Sequence, residues 1–156
     1  MPSRLNLEFP DLDAALMRAD PGSCRQVAAT LAGAAVQQAE LTDDAVHRSL
    51  DVLRADAPMS PELRSELEEL VKRLDEAYWD LQDRAEGGAE MGSLIASAFR
   101  RARAANAVLY ATMDDAHECA YEASHALRDP DRVRAIAEEA LTSLPAGKAT
   151  PFRPKR

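Results

Sequence analysis

Leu63, Leu67, Leu70, Leu74, Ala77 and Leu81 recur in alternating steps of four and three between Ser60-Pro61 and Gly87-Gly88. A period of about 3.5 residues draws one apolar stripe along a helix; a strand, whose faces alternate at every second residue, cannot use it. Ser60 suits an N-cap and Pro61 the first helical position, so the spacing predicts a helix from Pro61 to about Glu86, ended by the two glycines. The stripe covers fewer than three heptads and lies between Pro58 and Gly88, which points to a seam inside a bundle rather than to a free-standing coiled coil.

The rest of the chain agrees with that element. Alanine fills 31 of the 156 positions and β-branched and aromatic residues are scarce, so an all-α fold is expected and a sheet is disfavoured. A chain of this length can bury about 70% of its extended surface, and it needs neither a metal nor a disulfide to hold it together. After an extended lead-in, Pro10 starts a short helix that Pro21 stops. Ser23-x-x-Gln26 has the form of a capping box for a helix reaching about Glu40. Thr42 caps the next, which carries Val46, Leu50 and Leu53. A fifth helix begins near Ala89 and packs through Met91, Leu94, Ile95, Ala98, Ala102, Ala105 and Leu109. It is expected to break near Met113, where Asp115-x-x-Glu118 offers a new start, and a last helix runs from Asp129-Pro130 and stops before Pro145. The expected architecture is a single compact bundle of five to six helices over residues 1–144, followed by a short disordered basic tail over 145–156.

Charge is segregated along the chain. Residues 60–92 carry ten acids against four bases, residues 93–113 carry three arginines and no acid, and residues 114–144 carry eight acids against three bases. With a net charge of −8, the surface disfavours nucleic acid, whose binding depends on neutralising phosphates, and suits either a basic protein partner or simply solubility through solvated helix faces. No apolar run reaches the ~20 residues that span a bilayer, and the first residues lack the apolar core of a secretion signal, so a cytoplasmic location and no membrane partner are expected. Arg100, Arg101 and Arg103 are expected to pair with the acidic fourth helix rather than to clamp a phosphate.

Trp79, the one tryptophan, lies about 200° around the helix from Leu81, off the leucine stripe and among charged positions. Two readings remain open for it: an exposed anchor for an arginine-rich partner, or a side chain covered by another helix. On the first, the partner-binding residues are Trp79, Tyr78, Asp75, Glu76 and Asp83. No catalytic signature is present, no cofactor is expected, and Cys119 beside Glu118 would have its thiol pKa raised, the wrong direction for a nucleophile. Glu122-x-x-His125, with Glu118 and His117 close by, has the form of half a di-iron site, and Asp44-x-x-His47 is an imperfect second half. His117 is expected at the surface or in a cap, and Asn106 on a backbone carbonyl.

The stretch Ala98-Phe99-Arg100-Arg101-Ala102-Arg103-Ala104-Ala105-Asn106-Ala107-Val108-Leu109-Tyr110, with Ala120-Tyr121-Glu122-Ala123-Ser124-His125-Ala126-Leu127, resembles the alanine-rich helices of small bacterial immunity proteins. The resemblance implies a non-enzymatic module that inhibits a basic partner by covering it. The alternatives are a homodimer formed through the leucine stripe or the Trp79 face, and a carboxylate and histidine metal-binding bundle.

Overall fold

Helix starts in this chain are written in short polar caps and prolines. Ser3, Asp20, Ser60 and Asp115 each accept a hydrogen bond from the backbone N–H three residues on, and Asp129 does the same for Arg132. Pro10, Pro21, Pro61 and Pro130 occupy first helical positions, where their missing N–H costs nothing. The computed structural model describes residues 3–85 and 91–148. Among them are eight helices and no strand: α1 (Arg4–Glu8), α2 (Pro10–Arg18), α3 (Pro21–Ala39), α4 (Asp44–Arg54), α5 (Pro61–Arg84), α6 (Gly92–Thr112), α7 (Ala116–Leu127) and α8 (Pro130–Lys148).

The all-α expectation holds, but eight helices replace the five to six expected. The lead-in forms α1 because Ser3 caps it and Leu5 is fully buried. α3 starts at Pro21 under Asp20, ahead of the Ser23 box, because an aspartate directly before a proline serves both ends of the start signal. The break near Met113 is present. α8 continues past Pro145 to Lys148, where a stop was expected; a proline inside a helix removes one N–H bond and can kink the helix rather than end it. The Gly87-Gly88 turn, the start at Ala89 and the tail beyond Lys148 lie outside the described residues.

The centre is α3, α6 and α7 in mutual contact, with α5 against α6 and α8 against α3. Alanine makes these approaches close: Ala28, Ala32 and Ala35 of α3 meet Ala104, Ala105, Ala107 and Ala111 of α6 and Ala120, Ala123 and Ala126 of α7 in one buried cluster. Leu31, Leu50, Leu67, Val27, Val46, Val108 and Val133 fill the larger spaces around them. No described helix is long and apolar enough to cross a membrane.

The leucine stripe of α5 is only half used by this core. Leu63, Leu67, Leu70 and Val71 are buried, whereas Leu74 and Leu81 are half-buried and Ala77 is exposed. α6 shows the matching gradient, with no buried residue before Ala102. The outer parts of α5 and α6 therefore form a helical arm beyond the core.

Candidate functional site

Trp79 lies on that arm with 62% of its surface exposed. The phase of the helix put it off the leucine stripe, and no other described element covers it. Tyr78 stacks on it at a tilt, ring centroids 5.1 Å apart, and Phe99 of α6 follows at 5.3 Å from Tyr78. His125 continues the row at 6.3 Å from Phe99, and Tyr121 lies 4.6 Å beyond. Aromatic residues are few in this chain, and four of the seven stand in this row with the histidine.

Glu76 and Asp83 are exposed one turn to either side of Trp79, and neither has an ion pair among the described residues. Asp75 faces elsewhere. Its carboxylate accepts from the Arg103 guanidinium at 2.7 Å and from the Asn106 amide at 3.3 Å, so it belongs to the α5–α6 seam rather than to the surface around Trp79. Tyr78 is half-buried, and its hydroxyl accepts from the Gln82 amide at 2.7 Å. The five positions singled out in the sequence thus divide: Trp79, Glu76 and Asp83 share an open face, Tyr78 links that face to the next groove, and Asp75 is committed inside.

That groove, of about 560 Å³, separates the arm from the corner between α7 and α8. Tyr78, Ile95 and Phe99 line it on the arm side, and Phe9, His125 and Pro130 on the other, with Glu8 and Asp129 among its charged residues. No sequence signal pointed to it, because its walls come from α1, α5, α6, α7 and α8.

The candidate metal residues are engaged differently. Glu122, almost fully buried, accepts from Arg4 at 3.0 Å and from Arg103 at 2.6 Å, and Glu118 also pairs with Arg4. Two guanidiniums on one carboxylate make a site for cations poor. Asp44 pairs with Arg48, and His47 Nε2 sits 2.9 Å from the Leu41 carbonyl oxygen. Among the described residues no three His, Cys, Asp or Glu side chains are placed to hold a metal ion. Both cysteines are free; burial first, then Asp115 and Glu122, pushes the Cys119 thiol up, and burial does the same for Cys24. Arg103 pairs with α5 as expected, while Arg100 and Arg101 have no ion pair among the described residues.

His117 is half-buried rather than a surface or cap residue: its Nδ1 meets Asp13 at 2.6 Å. Asp13 also accepts from the Ser3 hydroxyl at 2.6 Å and from Asn6, tying α1, α2 and α7 at one carboxylate. These hydrogen bonds, Ser3's first and then those of His117 and Asn6, outweigh burial and hold the Asp13 carboxyl below its ordinary value. A carboxyl depressed in the fold contributes stability that is full above its unfolded value and is lost as the pH falls through the folded one. Asp13→Asn is therefore expected to destabilise the chain at pH 7, with the deficit narrowing below about pH 4, read from urea midpoints across pH. A deficit independent of pH would assign the loss to packing alone.

Comparison with protein-family models, with curated proteins and with solved structures finds no match to this chain.

Proposed function

We propose that the chain is a non-enzymatic, acidic, helical protein-binding module, an immunity-type or regulatory inhibitor that occludes a basic partner protein, with Trp79 as its anchor. The observation that carries this reading is a lone tryptophan, 62% exposed on an arm the core does not cover, flanked by two carboxylates with no ion pair among the described residues. Tryptophan concentrates binding energy at interfaces, and carboxylates around it select a cationic counterpart and speed its approach. A hollow of about 590 Å³ at the start of α5, lined by Asp43, Asp44, Glu62, Glu66 and Glu69 with Arg73, is acidic in balance, although Arg48 pairs with Asp44 and Glu66.

Self-association through this face is the second reading. Exposed Leu94 and the half-covered Leu74 and Leu81 favour it, since a second arm could complete the seam. The native mass separates the two: a 17.0 kDa monomer supports the first, and a dimer the second.

Trp79→Ala is expected to weaken binding of the partner by more than about 2 kcal/mol while leaving the melting temperature within about a degree. Calorimetric titration of a partner purified on the wild-type chain, with thermal melts of both proteins, checks it. A lowered melting temperature with unchanged affinity would make Trp79 a structural residue.

A further inference from the structure

We infer that the partner brings a basic amphipathic helix, which lies along the row of rings from Trp79 to Phe99. Its apolar residues enter the groove against Tyr78, Ile95 and Phe99, and an arginine lies over the indole between Glu76 and Asp83. The inference rests on the protein-binding reading and adds the kind of surface the partner presents.

Spacing is the first argument. Neighbouring rings lie 5.1 and 5.3 Å apart, centroid to centroid, a separation that side chains one ~5.4 Å turn apart on a helix can match. Side chains one turn apart on a helix laid along the row would each meet one ring, the usual way an amphipathic helix occupies a groove. The groove continues the row inward, and at about 560 Å³ it has room for apolar side chains.

Charge is the second. Three other rings of this region already carry a guanidinium from the chain itself: Arg4 lies 4.2 Å from the Tyr121 centroid and Arg103 5.7 Å from that of Phe99, both in the row, and Arg134 4.9 Å from that of Phe9 in the groove. Among the described residues, no arginine or lysine lies over Tyr78 or Trp79. Indole is the best aromatic acceptor for such a cation, and two carboxylates beside it strengthen the attraction. At the groove two carboxylates, Glu8 and Asp129, stand with one arginine, Arg128, and Glu8 lies 3.5 Å from His125. A helix with arginines toward both ends is matched along this path, and an acidic one is repelled.

The test uses the full chain and a designed, tryptophan-free helical peptide with leucines at i, i+4 and i+7 and arginines toward both ends. Two control peptides replace the arginines by glutamate or the leucines by serine. Because the chain has one tryptophan, its emission reports binding at Trp79. A saturable change is expected with the arginine peptide, and affinity at least about tenfold lower with each control. The double variant Glu76→Gln, Asp83→Asn, on exposed positions, is expected to weaken binding about tenfold and to flatten its salt dependence. Phe99→Ala, verified as folded by circular dichroism, should weaken it similarly.

Equal affinity for the arginine and glutamate peptides, or a double variant with unchanged affinity and salt dependence, would overturn the inference. A protein partner whose affinity depends on Trp79, with no binding of the arginine peptide, would overturn it and leave the module reading standing. The arginine peptide bound through the groove, with a protein partner indifferent to Trp79→Ala, would support the groove and sink the module reading. A dimer in which Trp79 emission is blue-shifted and reverts on dilution would make a second copy the occupant and overturn the basic helix.

Discussion

Glu122→Ala is expected to lower the unfolding free energy by about 3 kcal/mol, at the lower end of what removing one partner from a buried ion pair costs. Glu122 is 2% exposed and joins Arg4 of α1 to Arg103 of α6, while Arg103 also reaches Asp75 of α5. Without the carboxylate, Arg103 would keep Asp75 but face α7 uncompensated, and its Nε already has no hydrogen-bond partner among the described residues. Arg4 retains Glu118, which holds the loss below the upper end of the range. Replacing both Glu122 and Arg103 by leucine should recover part of it, because the most buried carboxylate leaves together with its guanidinium, while Arg4 keeps Glu118 and the partly exposed Asp75 keeps the Asn106 amide. Urea unfolding of the two single variants and the double variant closes the cycle. A cost under about 0.5 kcal/mol for Glu122→Ala would mean that water reaches this network freely.

The second large effect separates the two halves of α5. Leu67→Ala is expected to cost about 2–5 kcal/mol, since Leu67 is fully buried and its loss opens a cavity among residues that cannot all collapse into it. Leu81→Ala, two heptads on along the same stripe, is expected to cost less than about 1 kcal/mol because its site is half-open to water. Equal costs at the two positions in the isolated chain would show that something covers the arm, and would count against an open Trp79 face.

The stripe and two caps, Ser60 and Asp115, were readable in advance because these signals are local, whereas Asp20 and Asp43 stand at the N-caps where Ser23 and Thr42 were expected. Ser60 and Asp115 state a helix start within four residues, and a 3.5-residue period needs no knowledge of the neighbouring helix. The ends at about Glu40 and near Met113 were readable from where the apolar phase stops and the next start signal begins, not from a terminating residue. α3, α4, α6 and α7 finish at Glu40, Asp56, Asp114 and Arg128 in left-handed conformation, with φ between 53° and 59°. Glycine is the usual signal for that turn, and none of the four has it. Pairings across the fold could not be read at all: Arg4 and Glu122 are 118 positions apart, and only packing brings them together. At the site, periodicity placed Trp79 off the stripe, yet which side chains would find partners was hidden. Asp75 and Glu76 are sequence neighbours; one is drawn into the seam by Arg103 and Asn106, and the other stays in water. The groove was invisible because its walls come from five helices.

The burial gradient along α5 and α6 divides the molecule into two tiers of cooperativity. Backbone hydrogen bonds from Leu63 to Val71 and from Ala102 to Ala111 can break only with the core, whereas those near Trp79 can open while the core stays intact. Local opening near Trp79 therefore has a lower free-energy threshold than global unfolding. A partner that binds only the closed arm raises that threshold through linkage, in proportion to the logarithm of its concentration over its dissociation constant. The surface proposed for recognition is thus also the part of the fold whose order occupancy would set.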